Sequence, residues 1–302
     1  MSGVLVIDKP AGMTSHDVVN RVRRILGQRS VGHLGTLDPL ATGVLPLVVG
    51  NWTRLAQFYA KSEKSYEGVI RLGFATDTYD AEGERIGDIA DVKVSLEEVR
   101  RAAQSFLGVM EQIPPTFSAK KVAGTPAYKL ARRKKDLKLQ PVRVEIKEFE
   151  MTGLQNDRVS FRARVGSGTY MRSVAHDLGQ RLGCHGHLES LRRTSVAEFD
   201  INDAHTLEQA QGLANAEDFD LLFVHPRKLL PQMPSITANE EAVSKISYGR
   251  SVNLPELSHA RLVKVFCGQR ELVAIATRVA GTLFHPGIVL AGRSNSAALV
   301  NT

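Results

Sequence analysis

One aspartate in this sequence is unusually well placed to do chemistry. Asp38 lies within Gly32-His33-Leu34-Gly35-Thr36-Leu37-Asp38-Pro39-Leu40-Ala41-Thr42-Gly43-Val44-Leu45. Three glycines in this stretch permit tight turns and let a ligand approach the backbone closely. Pro39 drives the preceding residue out of the helical region and into an extended conformation. An ionised carboxylate presented this way can attack without the general base that a serine or threonine would need. Residue types alone leave a second role open, that of an aspartate capping a turn. A competing constellation, Cys184, His185 and His187 with His176 nearby, lacks the two-cluster spacing of a structural zinc site. No metal is expected.

The elements that must position Asp38 follow from hydrophobic periodicity. Residues 3–7 form a short buried strand that stops at Lys9-Pro10. A helix follows, capped at Thr14 or Ser15, with Val18, Val22, Ile25 and Leu26 on one face. Residues 30–50 read as a glycine-rich loop entering the apolar run Val44 to Val49, and 65–74 as a strand. Ser95 with Glu98 makes a capping box that opens another helix. Val159, Phe161, Ala163 and Val165 alternate with Arg158, Ser160, Arg162 and Arg164, a strand with one basic face. A helix is expected from about Tyr170 to Leu182.

The 302 residues suit about two domains. Pro226, Pro231 and Pro234 mark a connection, placing one domain at 1–230 and a smaller one at 231–302. The smaller unit reads as one helix followed by strands at 261–266, 271–279 and 284–290. No apolar run approaches the ~18 residues of a membrane span. Two cysteines, Cys184 and Cys267, cannot build a disulfide framework, so a reducing cytoplasm fits. The net charge of +7 conceals strong segregation. Residues 120–147 hold ten Lys and Arg against two acids, whereas 194–226 hold seven acids and no Lys or Arg. Arg132, Arg133, Lys134 and Lys135 are contiguous and cannot share one helix face, which points to contact with a nucleic-acid backbone.

The segment Gly32 to Leu47 closely resembles the catalytic motif of the TruB family, the bacterial tRNA pseudouridine-55 synthases. The resemblance continues in order over almost all of residues 3–230. Asp8-Lys9-Pro10-Ala11-Gly12 is similar to the family's opening signature, and Lys64-Ser65-Tyr66 and Thr76-Asp77-Thr78-Tyr79-Asp80 to its next blocks. Residues 114–121 and 127–132 resemble a substrate-gripping thumb, which spans about 112–147. Gly168-Thr169-Tyr170-Met171-Arg172-Ser173 and residues 187–194 resemble the last two blocks. The C-terminal unit resembles, on less specific stretches, a PUA domain, a module that binds RNA.

This resemblance implies an α+β catalytic domain with a central mixed sheet and a small β-rich PUA-like domain behind it. It implies that one uridine in the T-loop of tRNA is isomerised to pseudouridine with no cofactor. Asp38 resembles the catalytic aspartate, Arg172 the arginine that pairs with it, and Tyr66 the tyrosine that lies against the target base. Tyr170 and Leu191 resemble members of the uridine pocket. His33 resembles the histidine that helps to hold the opened loop, and Lys9 supports this shell. Asp38 could attack C6 of the base or act at the ribose. The expected partner is the T-arm of tRNA, bound by a cytoplasmic monomer with no obligate protein partner. Two rivals stand beside this reading. One is a tRNA-binding folding factor without catalysis. The other is a nucleoside or glycoside hydrolase, which would want a second carboxylate beside Asp38, with Asp77 and Asp80 as candidates.

Overall fold

The computed structural model describes residues 1–118, 139–256 and 258–291, with the backbone of 121–122 and 125–126. Its first strands are β1 (Gly3–Lys9), β2 (Val31–His33), β3 (Thr42–Val49), β4 (Lys64–Leu72), β5 (Ala75–Thr76), β6 (Arg85–Ile86) and β7 (Gly108–Gln112). Then come β8 (Lys121–Val122), β9 (Thr125–Pro126), β10 (Val142–Gln155), β11 (Arg158–Val165), β12 (Gly186–Val196) and β13 (Phe199–Asp200). The last are β14 (Ser235–Thr237), β15 (Val252–Asn253), β16 (Leu262–Cys267), β17 (Glu271–Ala280) and β18 (Leu283–Val289).

A nine-stranded sheet runs β1-β3-β12-β4-β11-β10-β7, with β2 beside β3 and β13 beside β12. The β3–β12 pair is parallel and its neighbours β1–β3 and β12–β4 are antiparallel, so the sheet is mixed as expected. A separate five-stranded sheet, β14-β16-β17-β18-β15, makes the C-terminal unit β-rich. The short strands β2, β14 and β15 were not legible as strands, because two or three residues carry no periodicity.

The apolar run in β3 has a direct cause. Leu45, Leu47 and Val49 face a core covered by helices, among them Val18 and Val22 of the Ser15–Ile25 helix and Val174 and Leu178 of the Met171–Arg181 helix. Val44 and Val48 face a second core with Trp52, Leu55, Phe199 and Leu229. A strand buried on both faces reads as a continuous apolar stretch. The helix starts follow their caps. Thr14 accepts the Asp17 N–H while Asp17 accepts the Thr14 N–H, and Ser95 and Glu98 do the same for Leu96–Gln104.

The basic face expected on β11 is corrected. Its arginines do project to solvent, but each meets an acid on another strand of the sheet. Arg158 pairs with Glu189, Arg162 with Glu67 and Arg164 with Glu148. Cross-strand pairing neutralises that face.

Gly43 is where the catalytic segment joins the sheet, register partner of Lys9 on one side and Arg193 on the other. Its φ is +100°, and a Cβ there would sit 2.2 Å from the Arg193 carbonyl oxygen. Gly43→Ala is therefore expected to cost about 2–4 kcal/mol, from backbone strain and a clash with another strand. Chemical denaturation of the variant checks this, and an unchanged midpoint would contradict it.

Candidate active site

Four tethers hold the loop that carries Asp38, three of them from side chains buried beneath it. The Lys9 ammonium donates to the carbonyls of Pro10, Met13 and Pro39 at 2.8, 2.6 and 3.2 Å. Burial brings this lysine down to about 8, while the charge of Asp38 opposes the fall. Ser15 donates to the Leu37 carbonyl and accepts the Leu37 N–H, at 3.0 and 2.8 Å. Arg193 is 1% exposed and donates to the carbonyls of Gly35, Thr36 and Val44 at 3.0, 3.2 and 2.8 Å. Finally, the Gly12 N–H donates to the Pro39 carbonyl. The residues on both sides of Asp38 are thus fixed through their backbone.

Arg172, the second residue of the Met171–Arg181 helix, is 6% exposed and faces two carboxylates. Its Nε lies 2.9 Å from Asp38 Oδ2 and its Nη1 3.4 Å from Asp80 Oδ2. The Nε contact is a charge contact off the hydrogen-bond line, since that N–H has no well-aligned acceptor. Arg172 is held instead by the carbonyls of Thr78 and Phe117 at 3.2 and 2.8 Å. An arginine cannot deprotonate, so it stays a fixed cation beside Asp38. Burial raises the Asp38 carboxyl above its usual range; Arg172 pulls it back and Asp80 adds to the rise. The Asp38 side chain remains 40% exposed on its open side. It is a carboxylate oriented by a neighbour yet free to react.

That open side is a cavity of about 250 Å³. Asp38, Arg172, Tyr66, Tyr170 and Leu191 all line it, so five residues marked from sequence converge. Two of these come from the alternation of the sheet. Tyr66 on β4 and Arg193 on β12 are register partners, and Leu191 shares the Arg193 face. Tyr170 precedes the helix, and buried Gln112 fixes its backbone by accepting the N–H and donating to the carbonyl. The cavity is smaller than the ~300–1,000 Å³ typical of drug-sized ligands and suits a single nucleobase.

His33 is not among the residues lining the cavity. It sits on β2, where its Nδ1 accepts the Gly35 N–H at 3.3 Å, and burial lowers its pKa. Arg132, Arg133, Lys134 and Lys135 lie outside the described residues. Sequence reasoning gave no role to Lys64, Gln112 or Arg193, read Ser15 only as a candidate helix cap, and Asp80 only as a candidate second carboxylate of a hydrolase. For Lys64 and Arg193 a signal existed, because residues two apart in a strand share a face. A pocket role for Tyr66 and Leu191 therefore turns Lys64 and Arg193 the same way. Asp80 is buried, accepts from Thr78 Oγ1 and the Glu82 N–H, and does not line the cavity. Asp77 accepts the Glu84 N–H within its own turn. Neither is placed to flank a bond opposite Asp38. His187 packs tilted against Phe74 with its Nδ1 3.1 Å from the Phe74 carbonyl, and His185 Nδ1 meets Gln180. Among the described residues, no group of three His, Cys, Asp or Glu could hold a metal ion.

Residues 23–171 match the profile of the TruB family pseudouridylate synthase N-terminal domain. Residues 172–229 match that of the tRNA pseudouridylate synthase B C-terminal domain. A curated relative, the tRNA pseudouridine synthase B of Solibacter usitatus, is 46% identical over 293 residues, covering 96% of this chain and 100% of that protein. The tRNA pseudouridine synthase B of Geobacter sulfurreducens is 37% identical, covering 93% and 95%. Among solved structures, one of a Cbf5-Nop10-Gar1 complex matches with a TM-score of 0.70 at 25% identity, covering 96% of this chain and 85% of that one. An H/ACA RNP bound to a substrate RNA containing 2′-deoxyuridine gives 0.71 at 23% identity, covering 97% and 86%.

Proposed function

The chain belongs to the TruB family of pseudouridylate synthases, and from that premise we propose how its residues work. It isomerises a uridine of tRNA to pseudouridine. In our reading that uridine is the one at position 55 of the T-loop, and Asp38 is the nucleophile. The observation that carries this reading is the Asp38–Arg172 pair, opening onto a base-sized cavity walled by Tyr66. A base must leave its stack to reach such a site. Stacking against Tyr66 and Tyr170 offsets that cost, at ~1–3 kcal/mol per base. Arg172 aims the carboxylate and opposes the rise that burial imposes on it.

The N1–C1′ bond breaks, the base turns within the cavity, and C5 bonds to C1′. The C5 proton goes to solvent and N1 gains one. Composition is conserved, so the reaction calls for no redox partner or group donor. The protein works on the T-arm as a cytoplasmic monomer in this reading, with residues 231–302 as a PUA-like RNA-binding unit. No helix among the described residues is long and apolar enough to cross a membrane.

Incubation with tRNA tritiated at uridine C5 tests the reading. A synthase releases tritium without cleaving the RNA or freeing its base, a hydrolase frees uracil, and a folding factor does neither.

RNA grip is tested separately. Neutralising Arg132, Arg133, Lys134 and Lys135 together is expected to weaken tRNA binding. It should also flatten the slope of log affinity against log salt by about 0.7–0.9 for each phosphate no longer neutralised. An unchanged slope would make this run a solvated surface.

A further inference from the structure

We infer that Lys64, backed by Arg193, stabilises the negative charge that collects on the uracil ring while it is detached from the ribose. The inference rests on the reaction proposed above and assigns a further catalytic group to it. The cavity has two electrostatic poles. At one, Asp38 and Asp80 share Arg172. At the other, two cations converge beside Gly35. A side-chain carbon placed on Gly35 would lie 3.6 Å from Arg193 Nη1 and 3.7 Å from Lys64 Cε.

Both cations line the cavity, and neither forms an ion pair with a carboxylate among the described residues. Arg193 donates to the carbonyls of Gly35, Thr36 and Val44, and Lys64 donates to the Ser62 carbonyl at 2.6 Å. Carbonyl oxygens solvate these cations without cancelling their charge. A fully buried arginine whose partners are carbonyls and the Tyr66 side chain, with no carboxylate among the described residues, is costly to retain. Burial brings the Lys64 ammonium down to about 8, and Arg193 pushes it the same way. The wall of the cavity is therefore positive before any substrate arrives, and an anion formed there relieves it.

The reaction supplies that anion. When N1–C1′ breaks, its electron pair stays on the base. If Asp38 first adds to C6, the displaced pair moves toward O4; if Asp38 acts at the ribose, the charge spreads over N1, O2 and O4. By either route negative charge rests on the ring until C5 bonds to C1′, the C5 proton leaves and N1 is protonated. Fixed cations facing developing charge act on the rate more than on binding.

The test compares Lys64→Met, Lys64→Gln and Lys64→Arg with the wild-type protein under single turnover. The substrates are tRNAs carrying uridine or 5-fluorouridine at the target position. Consumption of the target nucleotide is read by digestion and chromatography. Fluorine withdraws electrons, so the 5-fluorinated ring bears negative charge with less help. Lys64→Met and Lys64→Gln should lose about a hundredfold in rate on uridine and far less on 5-fluorouridine, with tRNA Kd unchanged. Lys64→Arg should recover most of the rate. Equal losses on both bases would overturn the inference. So would a loss confined to Kd with a flattened salt slope, which would make Lys64 a phosphate contact. Failure of the underlying reading would look different, because Asp38→Asn would then remain active on both bases.

Discussion

Asp38→Asn is expected to release no tritium from C5-labelled tRNA while folding and binding tRNA much as the wild type does. The amide keeps the shape of the side chain and can still meet the Arg172 Nε. What it loses is the charge that makes the carboxylate a nucleophile. Removing a nucleophile commonly costs on the order of 10⁴-fold or more in turnover. The fold should survive because Arg172 does not depend on Asp38 alone. Asp80 remains 3.4 Å from its Nη1, and the carbonyls of Thr78 and Phe117 still accept from it. The buried cation therefore stays compensated. The loop survives too, since Lys9, Ser15 and Arg193 hold it through backbone atoms rather than through the carboxylate. Melting temperature, tRNA Kd and single-turnover tritium release together decide the matter. Measurable turnover by a verified Asp38→Asn sample would remove Asp38 from the nucleophile role.

The same residues mark how far sequence could be read. Asp38 was legible because its neighbours, Gly35, Pro39 and Gly43, are themselves conformational statements. Tyr66 and Leu191 were legible only through family resemblance, since a tyrosine or leucine in a strand is ordinarily core. Arg172 taken alone reads as a surface residue at a helix start. It is buried because Asp38 and Asp80 arrive from 134 and 92 positions earlier, and no local pattern announces such a meeting. Arg192 and Arg193 are adjacent and look alike in sequence. Strand alternation sends Arg192 outward to Asp8 and Arg193 inward to the catalytic loop. The β11 arginines misled because their acidic partners lie on other strands.

The prolines around residue 230 mark a connection, and the packing that crosses it has a measurable consequence. Read from sequence they mark a connection between two domains, so a chain ending at Leu230 ought to keep its whole catalytic site and lose only distant RNA contacts. Leu221, Leu222 and Phe223 would then be the segment in need of cover. The packing differs. Leu222 and Phe223 belong to the helix-covered core of the catalytic body, and Leu221 is exposed. The second core is the shared one. It joins Trp52, Leu55, Phe199, Leu229 and Leu230 to Phe266, Leu272, Ile275, Ile288 and Leu290 of the C-terminal unit. Polar ties reinforce it. Buried Lys264 donates to the carbonyls of Arg227 and Leu229, and Arg54 donates to that of Val289. A chain ending at Leu230 uncovers apolar side chains worth ~1.5–3 kcal/mol each when fully exposed. Partial exposure of four of them takes on the order of 5 kcal/mol, out of a typical total of about 5–15 kcal/mol. The shortened chain should therefore melt about 10–20 °C lower or aggregate. Trp52, the only tryptophan, should shift its emission to the red. Loss of activity on an isolated T-arm would then follow from the fold, and cooling should restore it. A shortened chain that melts within a few degrees of the full one, with unshifted Trp52 emission, would show that the catalytic body closes its core without the C-terminal sheet.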